Sequence, residues 1–283
     1  MRCILGKDKV EYAKVYAGGI CALFDSKPDM KRSHPLEGHT ALITSSSRNL
    51  GAEVARRLAE EGASVIVTYF SSMELAKELV DGLAGTPGKH VAVFGDTSTA
   101  AGTREMVKQA CRAASGTIDI LVNNSGPFSM TPYAELPGEE WERIWDGNVT
   151  AAFISAQILT PVMRSNAWGR IVNVSAGSAY LRNHSIYTLA KEAIITLTES
   201  LAVELAPEIT VNCVAPGQIS ESADEIADFD PTFVKRAISR TPLGRLVTRT
   251  EVAGVITGLC GKDFDAVTGV TIPVDGGWRI NRF

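Results

Sequence analysis

From His39 onward, short runs of apolar and β-branched residues alternate with segments whose apolar positions recur every three or four residues. The runs fall at Ala41–Thr44, Ser64–Phe70, His90–Phe94, Ile118–Val122, Arg170–Val174, Thr210–Val214 and Val270–Val274. After the first of them, Leu50, Val54 and Leu58 are spaced i, i+4, i+8 and leave Arg56, Arg57, Glu60 and Glu61 for solvent. That spacing predicts a helix over Gly51–Glu61. Segments 72–84, 101–114, 139–165, 185–206 and 249–260 read the same way, and the 185–206 segment carries the stripe Ala190, Ile194, Leu197, Leu201, Leu205. Near-continuous apolar strands alternating with helices predict a parallel sheet covered on both faces.

Composition narrows the class. A chain of 283 residues with 45% hydrophobic content suffices for one large core. Residues 1–37 mix charges with short apolar patches and read as an extension of unknown role; 38–283 read as one domain. A net charge of -4 offers no basic field for nucleic acid or an anionic membrane. The five cysteines are odd in number and scattered without a Cys-x-x-Cys, which argues against a disulfide framework and against zinc. His34, His39, His90 and His184 lack metal-ligand spacing, so no metal is expected. No apolar run approaches the roughly 20 residues that span a bilayer. The apolar stretch Ala17–Phe24 is short and follows mixed charges, unlike a signal peptide. The expectation is a cytoplasmic protein with free thiols.

Candidate chemistry lies where strands end. The first strand runs into Ser45-Ser-Ser-Arg-Asn-Leu-Gly51 and then a helix. A turn of small residues opening a helix points backbone N–H groups and the positive dipole end at an anion. The second strand ends Thr68-Tyr-Phe-Ser-Ser72 with no acid to grip a ribose diol, while Arg48, Ser71 and Ser72 offer donors to a 2′-phosphate. Tyr187 and Lys191 are spaced i, i+4, which puts a phenol and an ammonium on one helix face. A cation beside a phenol is expected to lower its pKa and fit it for proton exchange near neutrality.

Taken in order, these features resemble the short-chain dehydrogenase/reductase family. The turn is similar to the family's Thr-Gly-x-x-x-Gly-x-Gly, with Ser45 and Asn49 in place of its first two glycines. Serine fits there if its φ stays negative, and asparagine tolerates the left-handed region. Asn123-Asn-Ser-Gly126, Asn148, Tyr187 with Lys191, Pro216-Gly217 and Val274-Asp-Gly-Gly277 follow in family order over about 39–283.

The resemblance implies a Rossmann-like, doubly wound, seven-stranded parallel α/β sheet with helices on both faces. It implies NADP(H) bound by Ser45, Ser47, Arg48, Asn49 and Leu50 of the turn and by Ser71 and Ser72. Asp96 and Thr97 match positions that meet the adenine, and Ile219 one beside the nicotinamide amide. Asn124, Ser125, Gly126, Pro216 and Gly217 complete the cofactor set, with Tyr187 and Lys191. As a mechanism it implies reduction of a ketone (a 3-oxoacyl thioester, a polyketide-like or an aryl ketone). Tyr187 gives the proton, Lys191 lowers the Tyr187 pKa and holds the nicotinamide ribose, and Asn148 orders a water that links Lys191 to solvent. The family's carbonyl-polarising serine aligns with Ala176, leaving the role to Ser175, the preferred candidate, or to Ser178. Phe128, Met130, Tyr180 and Phe233 are candidates for the substrate wall or for core. The resemblance also implies a homotetramer or homodimer through the helices 139–165 and 185–206. An NAD-linked alcohol dehydrogenase, and a cofactor-binding regulatory protein with weak catalysis, are the alternatives.

Overall fold

Strands β1 (Thr40–Ile43), β4 (Ile120–Asn123), β5 (Gly169–Val174) and β6 (Ile209–Pro216) are buried along their whole length, as their unbroken apolar runs predict. With β2 (Ser64–Tyr69), β3 (His90–Phe94) and β7 (Thr271–Val274) they form one parallel sheet in the order β3-β2-β1-β4-β5-β6-β7. The computed structural model describes residues 34–114, 117–180, 185–223 and 232–280. The doubly wound seven-stranded sheet predicted from the sequence is the one observed.

The helices divide between the two faces. On one face, α1 (Asn49–Glu60), α2 (Met73–Gly82) and α8 (Arg249–Cys260) bury Val54, Leu58, Leu79, Val252 and Ile256 against Ile43, Val65 and Val214. On the other, α3 (Ala100–Ala113), α5 (Ala151–Ser165) and α6 (Ile186–Leu205) bury Met106, Leu159 and Leu201 against Leu42, Leu121 and Ile171. Each fully buried Leu or Ile contributes about 1.5–3 kcal/mol. Of the α6 stripe, Ala190, Ile194, Leu201 and Leu205 are buried and Leu197 is half-buried. Helix ends are fixed locally. Ser185 accepts from Thr188 N at 3.2 Å to start α6, and Thr248 with Glu251 forms a capping box on α8.

The sequence pattern over 139–165 predicts one helix, but there are two. Helix α4 (Gly138–Trp145) passes through a π turn at Asp146–Thr150 before α5 begins. The side chain of Asn148 donates to Ile144 O at 2.9 Å, competing for the carbonyl that its own backbone N–H would take in an α-helix. Thr150 Oγ1 donates to Asp146 Oδ1 at 2.7 Å across the same turn. Helix α7 (Phe233–Arg240) follows β6.

The described body begins at His34. Leu36 is buried, and its N–H donates to Glu61 O at 2.9 Å, so this segment packs against the end of α1. The rest of that extension lies outside the described residues, as do His184 and the acidic run Asp224, Glu225, Asp228 and Asp230. Among the described residues, no helix is long and apolar enough to cross a membrane.

Candidate active site

The chain leaves β1 to one side for β2 and to the other for β4, opening a crevice at the carboxyl ends of these strands. The motifs meet there. In the turn after β1, Ser45 and Asn49 both take left-handed backbone, with φ of 52° and 53°. Asn49 behaves as expected. Ser45 does not: its φ is positive, a conformation that costs a non-glycine residue about 1–2 kcal/mol. Buried hydrogen bonds offset that strain. Ser45 N donates to Thr68 Oγ1 at 2.8 Å, and Ser46 Oγ donates to Ile43 O at 2.7 Å while accepting from Thr68 N at 2.9 Å. Gly51 is obligatory, because a Cβ there would lie 2.6 Å from Ser45 O and 2.7 Å from Ser46 Cα.

This turn presents α1's first N–H groups without a cap. Arg48 occupies the N-cap and makes no side-chain cap bond, and no acidic residue stands in the first turn. Ser45, Arg48 and Asn49 are exposed, Ser47 is half-buried, and Leu50 is buried beneath them. The donor set fits a phosphate. Ser72, at the N-cap of α2, also leaves its hydroxyl out of a cap bond, and Ser71 beside it is exposed.

The β4 end is locked to the turn. Asn124 Nδ2 donates to Thr44 O and Ser45 O at 3.0 and 3.1 Å, and Thr44 Oγ1 accepts from Asn124 N and Ser125 N. Asn124 therefore shapes the turn with its side chain. Ser125 Oγ lies 2.5 Å from Thr97 Oγ1, joining the β3 and β4 ends. Asp96 Oδ1 accepts from Ser98 N and Oγ at 2.8 and 2.6 Å. Gly217, after β6, lies against Asp275, where a Cβ would meet its Cα at 2.7 Å; Ile219 bridges to Val247. Thr44 and Thr68 were missed as turn-shaping residues. Their only signal in sequence is a hydroxyl at the end of an apolar strand.

Tyr187 stands in the first turn of α6, and Lys191 one turn later is 3% exposed. Lys191 Nζ donates to Val174 O at 2.9 Å and lies 5.6 Å from the centre of the Tyr187 ring. Burial pushes the lysine down to about 8. It pushes the tyrosine up to about 12, the reverse of the expected lowering by Lys191. Desolvation of the phenol outweighs the ammonium, whose nearest bond is to a backbone carbonyl.

Asn148, in the π turn, donates from Nδ2 to Pro127 O and Ile144 O at 3.0 and 2.9 Å. Its Oδ1 is buried with no partner. A Cβ at Gly126 would crowd both that oxygen and Lys191 Nζ, the latter at 2.8 Å, so both groups flank one point. An orphaned acceptor beside a buried ammonium fits a bridging water.

Ser175 is placed differently from the preferred role. It is 2% exposed, and its hydroxyl donates to Lys191 O at 2.7 Å, so its proton is committed to the α6 backbone. Ser178, in the short helical turn Gly177–Tyr180, has a buried hydroxyl with no partner. Of the candidate wall, Phe128 is 59% exposed and packs edge-on to Tyr187 at 4.9 Å. Met130 and Tyr180 are exposed and Phe233 half-buried, so none of the four is core.

Comparison with known proteins agrees with this geometry. A family model described as enoyl-(acyl carrier protein) reductase matches residues 44–279. A tropinone reductase homolog of Arabidopsis thaliana is 36% identical over 88% of this chain and 95% of its own length. A 3-oxoacyl-[acyl-carrier-protein] reductase of Staphylococcus aureus is 33% identical over 84% of this chain and 97% of its own. Among solved structures, a gluconate 5-dehydrogenase from Burkholderia cenocepacia, in complex with NADP and tartrate, superposes with a TM-score of 0.79. It is 29% identical, covering 88% of this chain and 98% of that one. With its crevice, its phosphate turn and its Asn–Tyr–Lys group, the chain is an oxidoreductase of the short-chain dehydrogenase/reductase family.

Proposed function

We propose that this protein reduces a ketone to a secondary alcohol with NADPH, on a 3-oxoacyl thioester, a polyketide-like or an aryl ketone. The observation that carries the reading is the juxtaposition of Tyr187, buried Lys191 and the orphaned Asn148 Oδ1 at the crevice. A nicotinamide held there would supply the hydride for the carbonyl carbon. Tyr187, held neutral by a pKa near 12, keeps a proton ready for the carbonyl oxygen across the physiological range. Lys191 and Asn148 hold the water that returns a proton toward the phenol. Of the two serines, Ser178 is the one with a hydroxyl to spare for that oxygen, and Ser175 positions Lys191 through its backbone.

For the cofactor, the N–H groups of α1 take the pyrophosphate, and Arg48 with Ser71 and Ser72 takes the 2′-phosphate. The NADP complex of the Burkholderia relative supports a nicotinamide dinucleotide. No acid ends β2, and among the described residues no counter-ion holds Arg48, so neither stands against the extra phosphate. The test is incubation with NADPH or NADH and a panel of the three ketone classes, with the alcohol identified by mass. Alcohol from at least one class, faster with NADPH, is expected. NADPH binding with no alcohol from any class would instead favour a catalytically weak binding protein, the reading motivated by the diverted Ser175 hydroxyl.

A further inference from the structure

A cavity of about 350 Å³ lies between the first turns of α1 and α8, with Ser47, Arg48, Asn49, Arg56, Glu221 and Arg249 in its wall. Its charges are unevenly matched. Glu53 is engaged by Arg56 at 3.7 Å, by Arg57 at 3.8 Å and by Thr250 Oγ1 at 2.9 Å. Arg48 has no carboxylate partner among the described residues. Arg249 reaches in from the start of α8. Its Nη2 donates to Glu221 O at 3.2 Å and Ser222 Oγ at 3.3 Å, while its Nε is sealed from solvent with no partner. The Glu221 carboxylate turns back on the chain, accepting from Ser220 Oγ at 2.7 Å and from the Arg249 backbone N–H at 3.1 and 3.2 Å. The cavity thus joins an uncapped helix terminus to Arg48, which has no carboxylate partner among the described residues, and to Arg249, whose charge is felt by the Glu221 carboxylate at the α8 end. Nothing in the hydrophobic pattern of the sequence marked Arg249 for this place.

We propose that Arg249 closes a clamp on the diphosphate of the dinucleotide, opposite the uncapped N–H groups of α1, and that Glu221 weakens the grip by repelling the same anion. The proposal rests on the dinucleotide reading above and adds a residue and a division of labour to it. A guanidinium anchored by one nitrogen to the 220–222 turn still offers donors to a phosphate. Because the diphosphate is common to NADPH and NADH, Arg249 serves both. Arg48 serves the 2′-phosphate that NADPH alone carries.

Titration of NADPH and NADH by their fluorescence, at fixed salt, separates these roles. Charge-assisted hydrogen bonds of this kind are worth about 10- to 100-fold in affinity. Arg249→Gln should weaken both nucleotides by that factor, and Arg249→Lys by less. Arg48→Gln should weaken NADPH alone, and Glu221→Gln should tighten both severalfold. Thermal melting of each variant checks the fold. If wild type binds and a folded Arg249→Gln binds both nucleotides equally well, the clamp is overturned while the cofactor reading stands. If Arg249→Gln does not fold, Glu221→Gln decides: unchanged or weaker binding overturns the clamp. If wild type binds neither nucleotide, the dinucleotide reading falls first and takes the clamp with it.

Discussion

The Ser175 hydroxyl donates to Lys191 O, the next residue is alanine, and Ser178 holds a buried hydroxyl without a partner. These residues should respond differently to truncation. Ser178→Ala should lower kcat about 10²–10³-fold with NADPH affinity unchanged, as for loss of one oxyanion donor. Ser175→Ala should lower the melting temperature modestly, by about 0.5–1.5 kcal/mol, because one buried hydrogen bond is lost while Lys191 O, inside α6, keeps its helical partner. Steady-state kinetics beside thermal melts would tell them apart, and equal kinetics for Ser178→Ala and wild type would sink the assignment.

Lys191 carries a stability consequence of its own. With a folded pKa near 8 against 10.5 unfolded, the native state holds fewer protons than the unfolded state between those values. Stability therefore rises as pH climbs from about 8 to 10.5, and the full cost of the buried charge is present below about 8. In the dinucleotide-free protein, Lys191→Met should melt higher than wild type at pH 7, by on the order of 1–3 kcal/mol. The gap should close above pH 10; a lower melting temperature for the variant at pH 7 would contradict it. Tyr187 works oppositely at higher pH: raised to about 12, it makes the native state lose stability as pH rises from 10 to 12.

Among the elements, the turn after β1 is the most constrained. A methyl at position 51 would meet backbone at 2.6 and 2.7 Å and the Asn124 amide, itself bonded to that backbone, at 2.8 Å. Gly51→Ala should cost about 1–3 kcal/mol or more and abolish dinucleotide binding, since the turn must open to admit it. A melt and a nucleotide titration check both, and tight binding by a stable Gly51→Ala protein would show that the turn is more plastic than drawn. The period of apolar residues revealed nearly every strand and helix, because burial on one or both faces writes itself into spacing. It could not reveal the π turn in 139–165, because that turn is accompanied by local side-chain bonds of Asn148 and Thr150 that leave no trace in apolar spacing. Nor could it give the φ of Ser45, which Thr68 imposes from a distant strand. The direction of the Tyr187 pKa was misread for a similar reason: adjacency to a cation is visible in sequence, but desolvation by the surrounding fold is not. The identities of Asn148, Tyr187 and Lys191 were legible; how the Ser175 hydroxyl is spent was not.

At the scale of the whole molecule, α5 and α6 leave apolar side chains in water. Phe153 is 42% exposed, Leu189 38% and Val203 85%. Apolar side chains exposed on these two helices are what an interface between copies would cover. The homotetramer expected from the family resemblance is therefore a proposal that light scattering after size-exclusion chromatography tests. A mass of one chain at micromolar concentration would count against it. Val203→Glu should shift any assembly toward smaller species without altering the fold of the chain.

The central claim is that the phenol of Tyr187 delivers a proton to a ketone reduced with NADPH. It is tested most directly by comparing wild type and Tyr187→Phe in NADPH oxidation with a ketone the wild type accepts, alongside NADPH titration of both. The account predicts at least a 10³-fold loss of kcat in the variant with near-normal NADPH affinity, consistent with removal of the general acid. Full activity in Tyr187→Phe would contradict it.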